Sequence, residues 1–286
     1  MNENSISEKI NRATEKLQAA GIDTPRLDAE VLLAHVLNCR RLSLYVNSAE
    51  ELSPEKIGRY EALIEKRAEH LPVAYLTGVK EFMGMKFAVT PEILIPRPET
   101  EILAQGVIER LLLEFGETLT LADIGTGSGA VAISILKFIE NMTAEAVDIS
   151  GEAIAIAKFN AKKLGVTDRI NFTVGDLFAP LEGMTFNVIV SNPPYIPTGD
   201  LANLQEEVKN EPQIALNGGE DGLDFYRRII TDAPDFLKPG GFLAVEVGIN
   251  QADEVKKLIE EDGRLGEVEF WKDLANINRV VAARLQ

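Results

Sequence analysis

The stretch that decides the fold spans residues 123–130 and reads Asp-Ile-Gly-Thr-Gly-Ser-Gly-Ala, DIGTGSGA. It joins an apolar segment, TLADIG (120–125), to GAVAISILKFI (129–139), which reads as a buried helix. Glycines at alternate positions let the backbone turn tightly and approach a bound molecule with no Cβ in between. A strand, a glycine-rich turn and a helix in this order predict a βα unit with a ligand site at the turn.

The spacing of these glycines narrows the kind of ligand. It is G-x-G-x-G, which is neither the G-x-G-x-x-G of nicotinamide enzymes nor a P-loop with its G-K-[ST] ending. The free N–H groups at the start of the following helix favour a negative or polar ligand group. A purely structural turn is the alternative interpretation.

The same alternation continues to the end of the chain. Strand patterns alternate with amphipathic helices, which predicts a doubly wound, mainly parallel α/β sheet of seven strands. The last two strands have no helix between them and should pair antiparallel. The six further strand segments are AEAVDIS (144–150), RINFTVGD (169–176), FNVIVSNPP (186–194), GGFLAVEVG (240–248), EVEFWKDL (267–274) and NRVVAARL (278–285).

The part of the chain before residue 97 has a different character. Residues 1–78 carry apolar side chains at helical spacing, with Thr24 as an expected helix N-cap, and predict a small helical bundle. Residues 79–96 alternate as a β-hairpin connector does, and a helix is expected over 99–116. We therefore expect a docking or stability domain at 1–78, a hairpin linker at 79–96 and the ligand-binding domain at 97–286.

Composition excludes several function classes. The 286 residues carry a net charge of −16, which disfavours a direct nucleic-acid partner because such a surface repels phosphates. One cysteine, Cys39, and two histidines make a disulfide or a Cys/His metal site improbable, so no metal is expected. With no signal-peptide pattern and no apolar run of about 18–20 residues, we expect a cytoplasmic monomer without membrane contact.

Acidic residues end the second and third strands of this sheet. Asp148 follows the second strand, where nucleotide-type sites place an acid on the ribose hydroxyls, and Asp176 ends the third, where the adenine edge would lie. Both would stand at the carboxyl edge of the sheet with the glycine loop. Solvated acids at strand ends are the alternative for each.

The fourth strand ends in Ser191-Asn192-Pro193-Pro194-Tyr195, SNPPY. Proline fixes φ and has no N–H, and it holds the residue before it extended, so the carbonyls of Asn192 and Pro193 are held rigidly. The side-chain oxygen of Asn192 and the Pro193 carbonyl can each accept a hydrogen of one planar –NH2 group, which Tyr195 would cover. A simple strand-ending turn is the alternative.

With the glycine loop, N-P-P-Y resembles the S-adenosylmethionine (AdoMet) methyltransferases that act on adenine N6, cytosine N4 or a glutamine side chain. Further segments resemble one group among them, the peptide chain release factor glutamine methyltransferases of the HemK/PrmC type. They are YLTGVKEFMGMKF (75–87), ILIPRPETE (93–101), EVKNEPQIALNGGEDGLDFYRRI (207–229) and WKDLANINRVV (271–281).

The resemblance implies an AdoMet methyltransferase fold that methylates N5 of the glutamine in the Gly-Gly-Gln motif of class I release factors, yielding S-adenosylhomocysteine. It implies that Glu99 or Thr100 bonds the amino-acid end of AdoMet. In the family, residues at matching positions also bind the rest of the cofactor and the substrate. Asp148 would bind the ribose, Asp176 and Leu177 would border the adenine, and Asn192 would lie beside the methyl group. The methionine end of AdoMet would be lined by Gly125, Thr126, Gly127, Ser128 and Gly129. The substrate glutamine would be held by Asn192, Pro193, Pro194 and Tyr195.

One departure from the family concerns adenine. Some relatives carry tryptophan after the third-strand acid, whereas Leu177 and Phe178 stand here, so apolar contact would replace stacking. Two other functions stay open. A DNA or RNA adenine-N6 or cytosine-N4 methyltransferase needs a basic groove that the sequence lacks, and a non-catalytic AdoMet-binding adaptor has no need of N-P-P-Y.

Overall fold

The chain folds into two units in the computed structural model, which describes residues 3–112 and 118–286. The first unit comprises Met1–Val79 together with Gln205–Asn210. The second comprises Lys80–Leu204 and Glu211–Gln286. The return of Gln205–Asn210 to the first unit is a feature that the sequence pattern did not indicate.

The first unit is helical. Ser5 caps its first helix by accepting from the Glu8 amide, and Ser53 caps its fourth in the same way. Thr24 stands at the N-cap position of the second, but its hydroxyl donates to the Asp28 carboxylate 2.8 Å away rather than capping the backbone. The helices are α1 (Ile6–Ala19), α2 (Pro25–Leu37), α3 (Arg41–Val46), α4 (Pro54–Ala68), α5 (Val73–Thr77) and, from the returning segment, α9 (Glu206–Lys209).

A buried arginine holds the returning segment in this unit. The Arg67 side chain is only 3% exposed. Its Nε donates to Asp28 Oδ2 at 2.7 Å, and its Nη2 pairs with Glu207 of α9. Because a buried charge is costly unless it is paired, the two carboxylates are what make Arg67 tolerable here.

The second unit contains the sheet. Its strand order is β5-β4-β3-β6-β7-β9-β8, and β9 runs antiparallel to β7 and β8, so the predicted doubly wound, seven-stranded, mainly parallel sheet is confirmed. A separate hairpin consists of β1 (Val79–Phe82) and β2 (Met85–Ala88). The sheet strands are β3 (Leu119–Ile124), β4 (Met142–Asp148), β5 (Ile170–Val174), β6 (Phe186–Ser191), β7 (Leu237–Glu246), β8 (Leu265–Lys272) and β9 (Asn278–Leu285).

Helices cover both faces of the sheet. Alternate residues of β3 belong to different buried clusters: Leu121 packs with α6 and α7, whereas Ala122 packs with α10 and α11. The helix predicted over 99–116 is observed from Thr100 to Leu111, and residues 113–116 lie outside the described part. The helices are α6 (Thr100–Leu111), α7 (Ala130–Phe138), α8 (Gly151–Leu164), α10 (Asp224–Phe236) and α11 (Ala252–Asp262).

The order of the strands determines where a ligand can bind. From β3 the chain moves to β4 on one side, and β6 later pairs with β3 on the other side. The carboxyl end of β3 is therefore the switch point at which open α/β sheets bind ligands. Ile124 is in register with Ser191, so the glycine loop and SNPPY leave the sheet side by side.

Candidate active site

A cavity of about 300 Å³ opens at this switch point. It collects most of the predicted site residues from five separate stretches of the chain. The predicted residues that do not line it are Glu99, Gly129, Phe178 and Tyr195. Those that do are Thr100, Gly125, Thr126, Gly127, Ser128, Asp148, Asp176, Leu177, Asn192, Pro193 and Pro194.

The glycine loop presents bare backbone to the cavity. Gly125 and Gly127 have φ of +76° and +55°, which L residues rarely adopt, and a Cβ added at either would meet no heavy atom within 4 Å. Gly129 serves packing instead, because a Cβ there would lie 2.7 Å from Ile133 Cδ1. The first two glycines thus leave room for a ligand, while the third lets α7 approach α8.

The buried Asp123 side chain at the end of β3 holds the glycine loop in place through hydrogen bonds. Its Oδ2 accepts from the Thr126 hydroxyl at 2.7 Å and from the Ala132 amide at 3.3 Å. Burial raises the pKa of Asp123 to about 6, although both hydrogen bonds lower it. The carboxylate links the end of β3 to the start of α7 and so fixes the turn between them.

Asp148 at the end of β4 borders the same loop. Its Oδ2 accepts from the Gly127 amide at 2.8 Å, and its Oδ1 accepts from the Ser150 amide at 2.9 Å. Burial raises the pKa of Asp148, and these backbone bonds oppose the shift. Each carboxylate oxygen keeps a second lone-pair direction, so the group can still accept from a ligand hydroxyl.

The far end of the cavity is apolar apart from one ion pair. Arg228 of α10 donates to Asp176 at 2.6 Å, and both line the cavity. Leu177 lines it with a φ of +48°, an uncommon conformation for this residue. Phe178, the alternative to Leu177 for apolar contact with adenine, is buried against Phe236 at 4.9 Å between ring centroids and does not line the cavity.

Sequence reasoning missed several lining residues. Ile149 and Ile214 are more than half exposed yet border the cavity, together with Phe225 and Arg228. For Ile149 a signal existed, since it directly follows the strand-end acid Asp148. Ile214 lies in a single 3-10 turn, Gln213–Ala215, which is too short for periodicity to indicate where its side chain would lie.

Asn192 is held in one orientation at the mouth of β6. Its Nδ2 donates to the Thr100 hydroxyl at 3.1 Å, which leaves the side-chain oxygen as the group for a partner. The preceding Ser191 hydroxyl donates to the Ile124 carbonyl at 2.7 Å and anchors the strand end to β3. Thr100 therefore contacts Asn192, and Glu99 forms an ion pair with Arg279 at 3.8 Å.

Tyr195 supports the turn from outside the cavity. Its ring packs against the core cluster of α10 and α11, and its carbonyl accepts from Gln251 Nε2 at 2.9 Å. Burial raises the pKa of Tyr195. A Cβ on Gly218 would lie 2.8 Å from the Pro194 carbonyl, so the glycines of the 217–222 segment let a second backbone pack directly on the prolines.

Residues 3–112 and 118–286 contain no group of three or more His, Cys, Asp or Glu side chains arranged to hold a metal ion. Within the same ranges, no helix combines the length and the apolar character needed to cross a membrane.

Known proteins match this chain over nearly its whole length. Family models match at residues 8–78, the PrmC N-terminal domain, and at residues 100–220, the methyltransferase small domain. The release factor glutamine methyltransferase of Moorella thermoacetica is 42% identical over 279 residues, 98% of this chain and 98% of that protein. That of Geobacter sulfurreducens is 42% identical over 94% of this chain and 93% of that protein.

A solved structure is similar in fold. The hMettl16 catalytic domain, crystallised in complex with the MAT2A 3'UTR hairpin 1, superposes with a TM-score of 0.57. The match covers 83% of this chain and 84% of that chain, at 16% sequence identity. At this identity the similarity concerns the fold alone.

Proposed function

Because this chain belongs to the release factor glutamine methyltransferase family, we propose that it methylates N5 of the glutamine in the Gly-Gly-Gln motif of class I release factors. The resemblance stated from the sequence is thereby confirmed at the level of the family. The chain is a methyltransferase, and membership of this family implies AdoMet as the methyl donor.

The residues around the cavity fit AdoMet. Gly125 and Gly127 offer open backbone on which a polar amino-acid end can rest, and Asp148 keeps free lone pairs for two ribose hydroxyls. Ile149 and Leu177 provide apolar surface for an adenine ring beside Asp176. When bound, the cofactor supplies an electrophilic methyl group on a sulfonium.

One observation carries the proposal: the end of β6 turns an oriented amide and two prolines toward the glycine loop. The Asn192 side-chain oxygen and the Pro193 carbonyl would each accept one hydrogen of the substrate –NH2 group. The delocalised lone pair of a carboxamide makes it a weak nucleophile, so holding it in an attacking orientation is the main catalytic need. On methylation the substrate nitrogen would gain one methyl group and give up one proton to solvent, and S-adenosylhomocysteine would be the second product.

Docking of the intact release factor is assigned to the first unit. Helix α3 exposes apolar side chains that the core does not use: Leu42 is 73% exposed, Val46 is 78% exposed and Tyr45 lies between them. Arg41 of the same helix pairs with Glu30 at 3.6 Å. An exposed apolar patch of this kind is suited to contact with the surface of a protein partner.

Mass spectrometry of a class I release factor after incubation with this protein and AdoMet tests the proposal. The expected result is a mass increase of about 14 Da, one methyl group replacing one hydrogen, on the Gly-Gly-Gln peptide alone. A release factor that stays unmodified while an adenine- or cytosine-containing nucleic acid is methylated would refute it in favour of the rival activity.

A further inference from the structure

A buried carboxylate lies behind the asparagine of the site. Glu246 is the last residue of β7 and is 2% exposed. Val245 is in register with Ser191, so Glu246 and Asn192 are the next residues of two paired strands. The Oε2 atom of Glu246 has no hydrogen-bond partner within the described part of the chain. Such an orphaned buried atom is uncommon and calls for an explanation.

Thr100 lies between this carboxylate and Asn192. Its hydroxyl oxygen accepts from Asn192 Nδ2 at 3.1 Å. Its side chain is close enough to Glu246 to lower the pKa of that carboxyl, as a hydroxyl that donates to a carboxylate does. A hydroxyl has one hydrogen to donate, and an ionised carboxylate can only accept. While Glu246 is ionised, Thr100 must therefore donate to it, and the only role left toward Asn192 is that of acceptor.

This chain of bonds decides which end of the Asn192 amide faces the cavity. An asparagine side chain has two nearly isosteric orientations, related by a half turn of the amide. One presents an oxygen to a substrate –NH2 group, and the other presents a second –NH2 group, which cannot accept its hydrogens. When the Thr100 oxygen can only accept, the second orientation is unfavourable, because the Asn192 oxygen would then face another acceptor.

We propose that Glu246 is a positioning residue that acts through Thr100 to hold the Asn192 side-chain oxygen toward the substrate amide. The proposal deepens, and rests on, the proposed glutamine methylation. It assigns the buried charge of Glu246 a purpose, since a neutral side chain at that position would no longer dictate the direction of the Thr100 hydrogen bond.

The surroundings of Glu246 determine when it is charged. Its pKa is raised to about 7, chiefly by burial and to a smaller extent by the charge of Glu99. Thr100 and the charges of Arg279 and Arg97 oppose this rise. Tyr226 donates to the Glu246 backbone carbonyl at 2.9 Å, and the Tyr195 phenol also lies within its electrostatic reach. Above neutral pH the carboxylate is ionised and the orientation of Asn192 is enforced.

The test compares Thr100→Val with Thr100→Ser in the full-length chain at pH 8.5, with a Gly-Gly-Gln peptide as substrate. Valine is isosteric but has no hydroxyl, so kcat should fall about 30-fold, as expected when a reacting group is misplaced. Serine keeps the hydroxyl and should retain a kcat at least about tenfold above that of the valine variant, since one net hydrogen bond is worth about that factor.

Two binding measurements accompany the rates. Calorimetry should give an AdoMet Kd for Thr100→Val within about threefold of wild type, which also shows that the variant is folded. In the presence of S-adenosylhomocysteine, the peptide should bind Thr100→Val at least about fivefold more weakly, because the Asn192 acceptor is no longer fixed. This second readout involves no turnover.

A double-mutant cycle shows whether Glu246 acts through Thr100. Glu246→Gln should lower kcat several-fold in the wild-type background and change it by less than about twofold in the Thr100→Val background, because coupled residues are not additive. Equal factors in both backgrounds, or a Thr100→Val enzyme with more than half the wild-type kcat, would overturn the proposal. A wild-type chain that does not methylate the peptide would refute the proposed function instead.

Discussion

At the scale of single residues, Asn192 carries the most direct prediction. Asn192→Ala removes the acceptor proposed for the substrate amide but leaves the glycine loop and Asp148 intact. We expect kcat for a Gly-Gly-Gln peptide to fall below about a tenth of wild type, a barrier increase above ~1.4 kcal/mol, with AdoMet affinity largely kept. Single-turnover kinetics and calorimetry measure the two quantities. Retention of more than that tenth would contradict the clamp.

Asp148 should affect cofactor binding rather than the transfer step. Asp148→Ala removes two ribose acceptors and also the partner of the Gly127 amide, so the AdoMet Kd should rise about 10–100-fold through loss of charged hydrogen bonds. Asp168→Ala, an exposed acid on the turn before β5, is the matched control. If both variants bind AdoMet equally well by calorimetry, Asp148 has no such role.

The negative charge of Glu246 should raise activity and lower the stability of the folded chain. Its folded pKa of about 7 exceeds the ordinary 4.5, so between these pH values the folded state binds more protons than the unfolded state. Stability therefore falls as pH rises through this window, and the cost is fully present above pH 7.

Glu246→Gln removes that cost. The variant should gain stability over wild type on the order of 2 kcal/mol at pH 8.5, with the gain fading toward pH 4.5. Urea unfolding at both pH values measures it, and the contribution of Asp123 is common to both proteins and cancels. A variant that is less stable than wild type at pH 8.5 would show that Glu246 is a structural residue.

At the scale of elements, one buried side chain on α8 holds the glycine loop to the hairpin. Asn160 donates to the Ser128 and Ala88 carbonyls at 2.9 and 3.1 Å and accepts from the Ala88 amide at 2.7 Å. Asn160→Leu leaves these three backbone groups unpaired and should cost roughly 2–4 kcal/mol of unfolding free energy. Asn171→Leu, at an exposed position on β5, is the control. Similar losses in both, by urea unfolding, would contradict this.

The sequence predicted elements best where one physical signal dominated. NRVVAARL was expected as a strand over 278–285 and is one from Asn278 to Leu285, because its short continuous apolar run, with two β-branched residues, is typical of a strand that is buried on both faces. Helices α3 and α5 were not anticipated, since each is too short for a helical period to emerge from its sequence.

The candidate site shows the same contrast between residues with a clear sequence signal and residues without one. Residues in motifs, such as the glycine loop and Asn192, were predicted because their positions follow from the ends of parallel strands. Glu246 was not, because it reads as an ordinary residue of a strand, and its burial arises only when β6 pairs with β7. Tyr195 was expected over the substrate, but the 217–222 segment packs on its backbone, and its partly buried ring packs against the core rather than lining the cavity.

At the scale of the whole molecule, the proposed docking role of α3 predicts that recognition of an intact release factor can be separated from methylation of a short peptide. Replacing both Leu42 and Val46 of α3 by aspartate should raise KM for the intact factor at least about tenfold, as loss of an apolar anchor does. KM for a short Gly-Gly-Gln peptide should stay within about twofold, because α3 belongs to the first unit. Steady-state kinetics with both substrates measures the difference.

The control for this variant is another exposed apolar residue. Phe159→Asp alters α8 in the second unit, at a side chain that is 55% exposed and far in sequence from α3. It should leave KM for the intact factor unchanged. A double aspartate variant that behaves like this control would exclude α3 from recognition of the release factor.

The return of Gln205–Asn210 to the first unit has a consequence for domain exchange between relatives. The first unit is discontinuous, so a chimera that swaps only residues 1–79 would place a foreign side chain where Arg67 now meets the native Glu207. Wherever the donor lacks an arginine at position 67, the hybrid lacks the ion pair between residues 67 and 207. To exchange the whole first unit, a chimera needs two further crossovers, at 205 and 210. Comparing the stability of hybrids with and without the donor's residues 205–210 measures how strongly the first unit depends on this segment.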